Sequence, residues 1–135
     1  MKFSCEKLLL QNAVNTASRA VAAKSSIPAL EGLLLTCGGE SLTVSGYNMQ
    51  TSIRTKFAAE VEESGELVVN ARLISEILRR LPDDVVTFTA NEKFLIHLTC
   101  GDADFDIMGL SAADFPELPE VEEKSAGQIA EKTLK

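Results

Sequence analysis

The sequence predicts an α+β fold made of two pseudo-symmetric βαβββ repeats, with two helices on one face of the sheets. Three observations predict it. Strand and helix patterns follow the same order in both halves of the 135-residue chain. The apolar helix stripe Leu10, Ala13, Val14 and Ala17, moved by 64 positions, falls on Ile74, Ile77, Leu78 and Leu81. A 45% apolar content over this length fits one domain with its own core, layered from amphipathic helices and half-buried strands.

Each element has a local reason. Lys2–Cys5 reads as a short strand. Lys7–Ala23 reads as a helix, because Leu10, Ala13, Val14, Ala17 and Val21 form one stripe, with Lys7, Gln11, Asn15 and Arg19 largely opposite. Ser25 and Ser26 lead into a loop, and Pro28 excludes further helix. Glu31–Cys37 is an apolar run typical of a buried strand, and Gly38-Gly39 turns it back into a strand with Leu42 and Val44 inward. Past the turn Ser45–Asn48 comes a clean alternation. Met49, Thr51, Ile53, Thr55 and Phe57 share one face; Gln50, Ser52, Arg54 and Lys56 share the other.

Glu60–Gly65 reads as an acidic turn, after which the order restarts. Glu66–Asn70 is a strand, Asn70 an N-cap, and Ala71–Leu81 a helix ended by Pro82-Asp83-Asp84. Val85–Ala90 and Lys93–Cys100 form a hairpin across Asn91-Glu92. Asp104–Leu110 is the last strand, with Phe105 and Ile107 on one face and Asp104, Asp106 and Met108 on the other. Aspartates among apolar residues suit a sheet edge. Such an edge is either an ordinary one with a buried face or one built to pair with another chain.

Net charge is −7, but it is unevenly placed. Residues 7–30 carry Lys7, Arg19 and Lys24 and no acid; residues 71–82 carry Arg72, Arg79 and Arg80 against Glu76. Both basic segments belong to the helices and the loop after the first. The polar sides of two helices on one sheet face must look the same way. A basic layer on an acidic body suits a polyanion, whereas the bland alternative is a pair of solvated helix faces.

Reactive motifs do not occur. There is no nucleophile elbow, P-loop, HExxH or paired-cysteine pattern. Cys5, Cys37 and Cys100 are odd in number and far apart, so reduced core thiols are expected, with no metal and no cofactor. His97, in FLIHLT, is expected to face away from Phe94, Ile96 and Leu98 as an ordinary strand residue. No apolar run approaches a membrane span, and no signal peptide is read at the start. Pro119 and the acidic run after it read as a linker. Ile129–Leu134 reads as the opening of another strand and helix, so the chain is expected to be a piece of a longer protein.

Five segments in order resemble the amino-terminal domain of the bacterial sliding clamp family, the beta subunit of DNA polymerase III. They are MKFSCEKLLL, SSIPALEGLLL, LTVSGYNMQTSI, VVNARLISEILRRLPDD and FDIMGLSAADFPEL. The resemblance covers residues 1 to about 118 and departs at Ser111, where the family commonly has proline. It implies a clamp domain over 1–118, a linker over 119–126 and a truncated second domain over 127–135.

The resemblance also implies a non-enzymatic processivity factor: three such domains per subunit in a head-to-tail dimeric ring around duplex DNA, with helices lining the hole. It puts Lys24 on a basic position that meets DNA. Phe105 and Ile107 fall on apolar subunit-interface positions, with Ile77 beneath. Joined to the charge pattern, the expected DNA-facing set is Lys7, Arg19, Lys24, Arg72, Arg79 and Arg80. Implied partners are duplex DNA and a second clamp subunit, with polymerase and clamp loader engaging domains outside this chain. The implied location is the cytoplasm, with no membrane contact. The competing reading, from another class, is an adaptor that binds proteins through its exposed edge strand and has no DNA role.

Overall fold

The computed structural model describes residues 1–21, 24 and 26–116. The expected linker (119–126) and second-domain start (127–135) lie outside these. The described elements are β1 (Lys2–Glu6), α1 (Lys7–Ala17), β2 (Gly32–Gly38), β3 (Ser41–Tyr47), β4 (Ser52–Ala58), β5 (Glu60–Glu63), β6 (Gly65–Asn70), α2 (Ala71–Arg80), β7 (Val85–Ala90), β8 (Leu95–Cys100) and β9 (Ala103–Met108). They form two antiparallel sheets, ordered β5-β1-β7-β8-β9 and β4-β3-β2-β6.

The two halves exchange their first strands. β1 pairs with β7 of the second half, and β6 pairs with β2 of the first. Corresponding registers repeat: Glu6 lies opposite Val85, and Asn70 opposite Gly32. Leu42 lies opposite Phe57, and Ile96 opposite Ile107. Because a one-residue slip would turn every buried side chain outward, matched registers mean matched cores. The repeat is therefore present in the backbone and interlocked, each half completing the other's sheet.

Both final strands then bend in the same way. After β4, the Ala59 N–H donates to the Glu40 carbonyl (3.0 Å), and Glu60 crosses to pair with Ser4 of β1. After β9, the Gly109 N–H donates to the Phe94 carbonyl (2.7 Å), and Leu110 crosses to pair with Val68 of β6. This corrects the expectation of an acidic turn over 60–65. Val61 is tucked against the core while Glu60, Glu62 and Glu63 stay exposed, which an edge strand tolerates and a central one does not. It also shortens the last strand to Met108, with Leu110 belonging to the other sheet.

α1 ends at Ala17, in a tighter turn over Ser18–Ala20, and Val21 is already extended. The expected continuation to Ala23 is not made. The end of α1 rests on β3 at Gly46, where an added Cβ would stand 2.2 Å from the Ala17 carbonyl oxygen. α2 begins as its sequence requires: the Leu73 N–H donates to Asn70 Oδ1 (2.9 Å). α1 has no side-chain cap, and instead the Lys7 N–H donates to the Asp84 carbonyl (3.0 Å) in the loop after α2.

α1 and α2 pack against each other over one core. Leu10, Ala13, Val14 and Ala17 meet Ile74, Ile77, Leu78 and Leu81, with the inward residues of both sheets below. Phe3 and Phe88, directly opposite on β1 and β7, stack with ring centroids 4.8 Å apart. A smaller cluster of Ala29, Leu30, Val68 and Phe115 covers the far side of β6.

Candidate functional site

The helix layer carries most of the expected basic set. Arg72, Arg79 and Arg80 are exposed on α2, Arg19 is exposed in the turn after α1, and Lys24 is exposed in the loop beyond it. Lys24 and Arg72 come together across a cleft of about 450 Å³, which Ser18, Val21, Glu31, Asn70, Ala71 and Ser75 complete. The cleft sits at the first turn of α2, where backbone N–H groups add positive potential. Glu31 in its wall subtracts from that potential. Arg79 lies one turn along from Ser75, with Glu76 Oε2 at 4.0 Å from its guanidinium.

Lys7 does not belong with them. Its side chain is 8% exposed, and Nζ lies 3.2 Å from Asp83 Oδ1. Its position on α1 points it at the loop after α2, so its charge joins the two halves of the domain and is neutralised there. The sequence expectation set it opposite the apolar stripe, whereas it is buried on the same side of α1 as Leu10 and Val14, three and seven residues on, where Asp83 in the loop after α2 meets it. No local signal links Lys7 to a residue in the other half.

The second candidate is the β9 edge. Asp104, Asp106 and Met108 are exposed, while Phe105 and Ile107 are half-buried against the core. Ile77 is buried under the helix layer at 5% exposure. The edge carries one local pair: His97 Nδ1 on β8 and Asp106 Oδ1 directly opposite on β9 are hydrogen-bonded. That bond, with the charges of Asp106 and Asp104, holds the imidazole pKa above its ordinary value, against a smaller desolvation effect. His97 faces away from the apolar residues of its strand, as expected.

Nucleophilic chemistry finds no support in the thiols. Cys5, Cys37 and Cys100 are all buried. Cys5 borders a groove of about 680 Å³ between β1, β5 and α1. Burial first, and the Glu6 carboxylate second, push its pKa up to about 12. Its thiolate, the reactive form, is therefore scarce at neutral pH.

A family profile for the DNA polymerase III beta subunit, N-terminal domain, matches residues 1–119. The beta sliding clamp of Synechococcus elongatus is 32% identical over 99% of this chain and 36% of its own length. The beta sliding clamp of Bacillus subtilis is 31% identical over all of this chain and 38% of its own length. The crystal structure of the Bacillus subtilis DNA polymerase sliding clamp superposes with a TM-score of 0.87 at 29% identity, covering 91% of this chain and 34% of that one. The chain thus spans little more than a third of the relatives it matches.

Proposed function

The chain belongs to the DNA polymerase III beta subunit family, through its N-terminal domain, and on that premise we propose that it forms one segment of a ring that encircles duplex DNA and holds a replicative polymerase to it. Its part is non-catalytic. The clamp domain would span 1–118, with the linker and a second domain after it. A closed ring stays on DNA by topology, so its phosphate contacts can be weak and blind to sequence, which permits sliding.

The observation that carries this reading is the charge split. Arg19, Lys24, Arg72, Arg79 and Arg80 are exposed on the helix layer of a chain whose net charge is −7. That layer would face the duplex. The β9 edge, with Phe105 and Ile107 on its inner side and Ile77 beneath, would meet a second clamp subunit. Polymerase and clamp loader would engage other domains, in the cytoplasm. An adaptor without a DNA role is the weaker reading, because the family match spans the same helices that carry the charge.

Titration of a short duplex into the chain at two salt concentrations tests the proposal. Weak binding with a shallow salt dependence is expected, reduced by Lys24→Glu or Arg79→Glu and unaffected by duplex sequence. Tight binding that ignores salt would mean a dedicated recognition site, and would overturn the encirclement reading.

A further inference from the structure

The groove of about 680 Å³ beside Cys5 is bordered by none of the helix-layer cations and by no residue of β9. Leu9 of α1 and Val85, the first residue of β7, stand on its walls, and Ala59 and Val61 border it where the chain crosses into β5. Leu9 and Val85 are 41% and 50% exposed, and Leu8, which shares a smaller cleft with Val85, is 51% exposed. Scattered exposed apolar residues need no explanation, but three joined through Val85 form a patch. Three carboxylates border the same groove: Glu6 at the end of β1, Glu40 between β2 and β3, and Glu60 at the start of β5. All three are exposed, and no lysine or arginine borders the groove. Among the described residues, none of the three has a cation partner. Lys2 and Lys7, on either side of Glu6 in the chain, are held by Glu62 at 3.4 Å and by Asp83 at 3.2 Å. The first turn of α1 contributes roughly half a positive charge, which three carboxylates outweigh.

We propose that this groove docks a short segment of another protein in which basic and apolar side chains alternate. The charge decides the class of occupant. Nucleic acid, an acidic peptide or an anionic surface would meet three uncompensated carboxylates and be repelled. A purely basic segment would leave Leu9 and Val85 in water, and so gain nothing from the apolar walls. A segment carrying both sets its apolar side chains against Leu9 and Val85, while its lysine or arginine stems reach the carboxylates at the rim. The volume falls within the ~300–1,000 Å³ that binding sites span, and the few residues it accommodates make for a weak, quickly reversible contact. The docking site is separate from the helix layer and from the subunit edge, so it does not depend on the reading of either. Its failure would leave the duplex titration untouched, and Lys24→Glu, which weakens duplex binding, should leave peptide binding unchanged.

The test titrates the isotope-labelled 135-residue chain with the end-blocked peptide Lys-Leu-Lys-Leu-Lys and follows the backbone amide signals by NMR, with circular dichroism to confirm folding of each variant. Shifts are expected at Leu9, Glu40, Ala59 and Val85, and binding should weaken as salt rises. Glu40→Lys and Glu60→Lys should each weaken it roughly three- to tenfold, because each turns an attraction at the rim into a repulsion. Val85→Thr, which keeps the shape of the side chain, should weaken it about threefold. Lys-Ser-Lys-Ser-Lys should bind about tenfold more weakly or worse, and Glu-Leu-Glu-Leu-Glu not at all. Shifts scattered over the whole acidic surface would overturn the proposal. So would equal binding of the glutamate peptide, or affinity that ignores both Glu40→Lys and Val85→Thr. Shifts at the groove on concentrating the chain alone would seat a second copy there, and would overturn it too.

Discussion

His97 is the chain's single histidine, and its imidazole sits on the solvent side of β8 beside Asp106. Because the hydrogen bond to Asp106 raises its folded-state pKa, the fold favours the protonated ring. The resulting stabilisation is fully present below the unfolded-state value of about 6.5, and is lost as pH rises through the higher folded value. An NMR titration of the ring protons should show a midpoint above that of a free histidine, and Asp106→Asn should bring it down. An unshifted midpoint in the unmodified chain would refute the pair. Lys7 obeys a different rule. Its ammonium is mostly buried while the Asp83 carboxylate is 71% exposed, so the pair lies between a surface bridge and a buried one. Asp83→Asn leaves that ammonium without its counter-charge, and should destabilise the domain by about 1 kcal/mol in a urea melt. It should leave DNA affinity nearly unchanged.

At the scale of elements, the meeting of α1 with β3 is the tightest helix–sheet contact among the described glycines. A Cβ at Gly46 would stand 2.2 Å from the Ala17 carbonyl oxygen and 3.4 Å from Val21 Cγ2. The first is backbone and cannot swing aside, so Gly46→Ala must shift α1 off the sheet. The expected loss is about 1–3 kcal/mol, the usual range for overpacking, read as a lower denaturant midpoint with unchanged slope. The bends at Ala59 and Gly109 belong to the same scale. Each lets one strand serve both sheets, and each leaves the body of that strand as a sheet edge. Both helices were readable because an apolar stripe of period 3.6 is a local pattern. The end of α1 at Ala17 was not, because the obstacle at Gly46 is distant in sequence. β5 was misread as a turn because a run of four residues, three of them glutamates, carries no apolar alternation. It is a strand only because β1 is there to pair with it.

At the scale of the whole molecule, field and topology govern what the domain can do. With Lys7 neutralised, the cations left on the helix layer work against a net charge of −7. If roughly two or three phosphates are neutralised, log affinity should fall with log salt at a slope of about −2 to −3, at ~0.9 per contact. A slope much steeper than that would require cations outside the helix layer. The sequence by itself determined the element order, both helix stripes, the cap at Asn70, the inward set of β9 and the family. All of these are written in spacings of a few residues or in ordered segments. Only the tertiary structure decided that the halves exchange first strands, that Lys7 faces Asp83 instead of solvent, that Lys24 and Arg72 share one cleft, and that Leu9 and Val85 border one groove with three glutamates. The physical reason is common to all four. Each depends on which backbone lies beside which across the fold, and such pairings are set by the joint packing of both repeats on one core rather than by any stretch of chain alone.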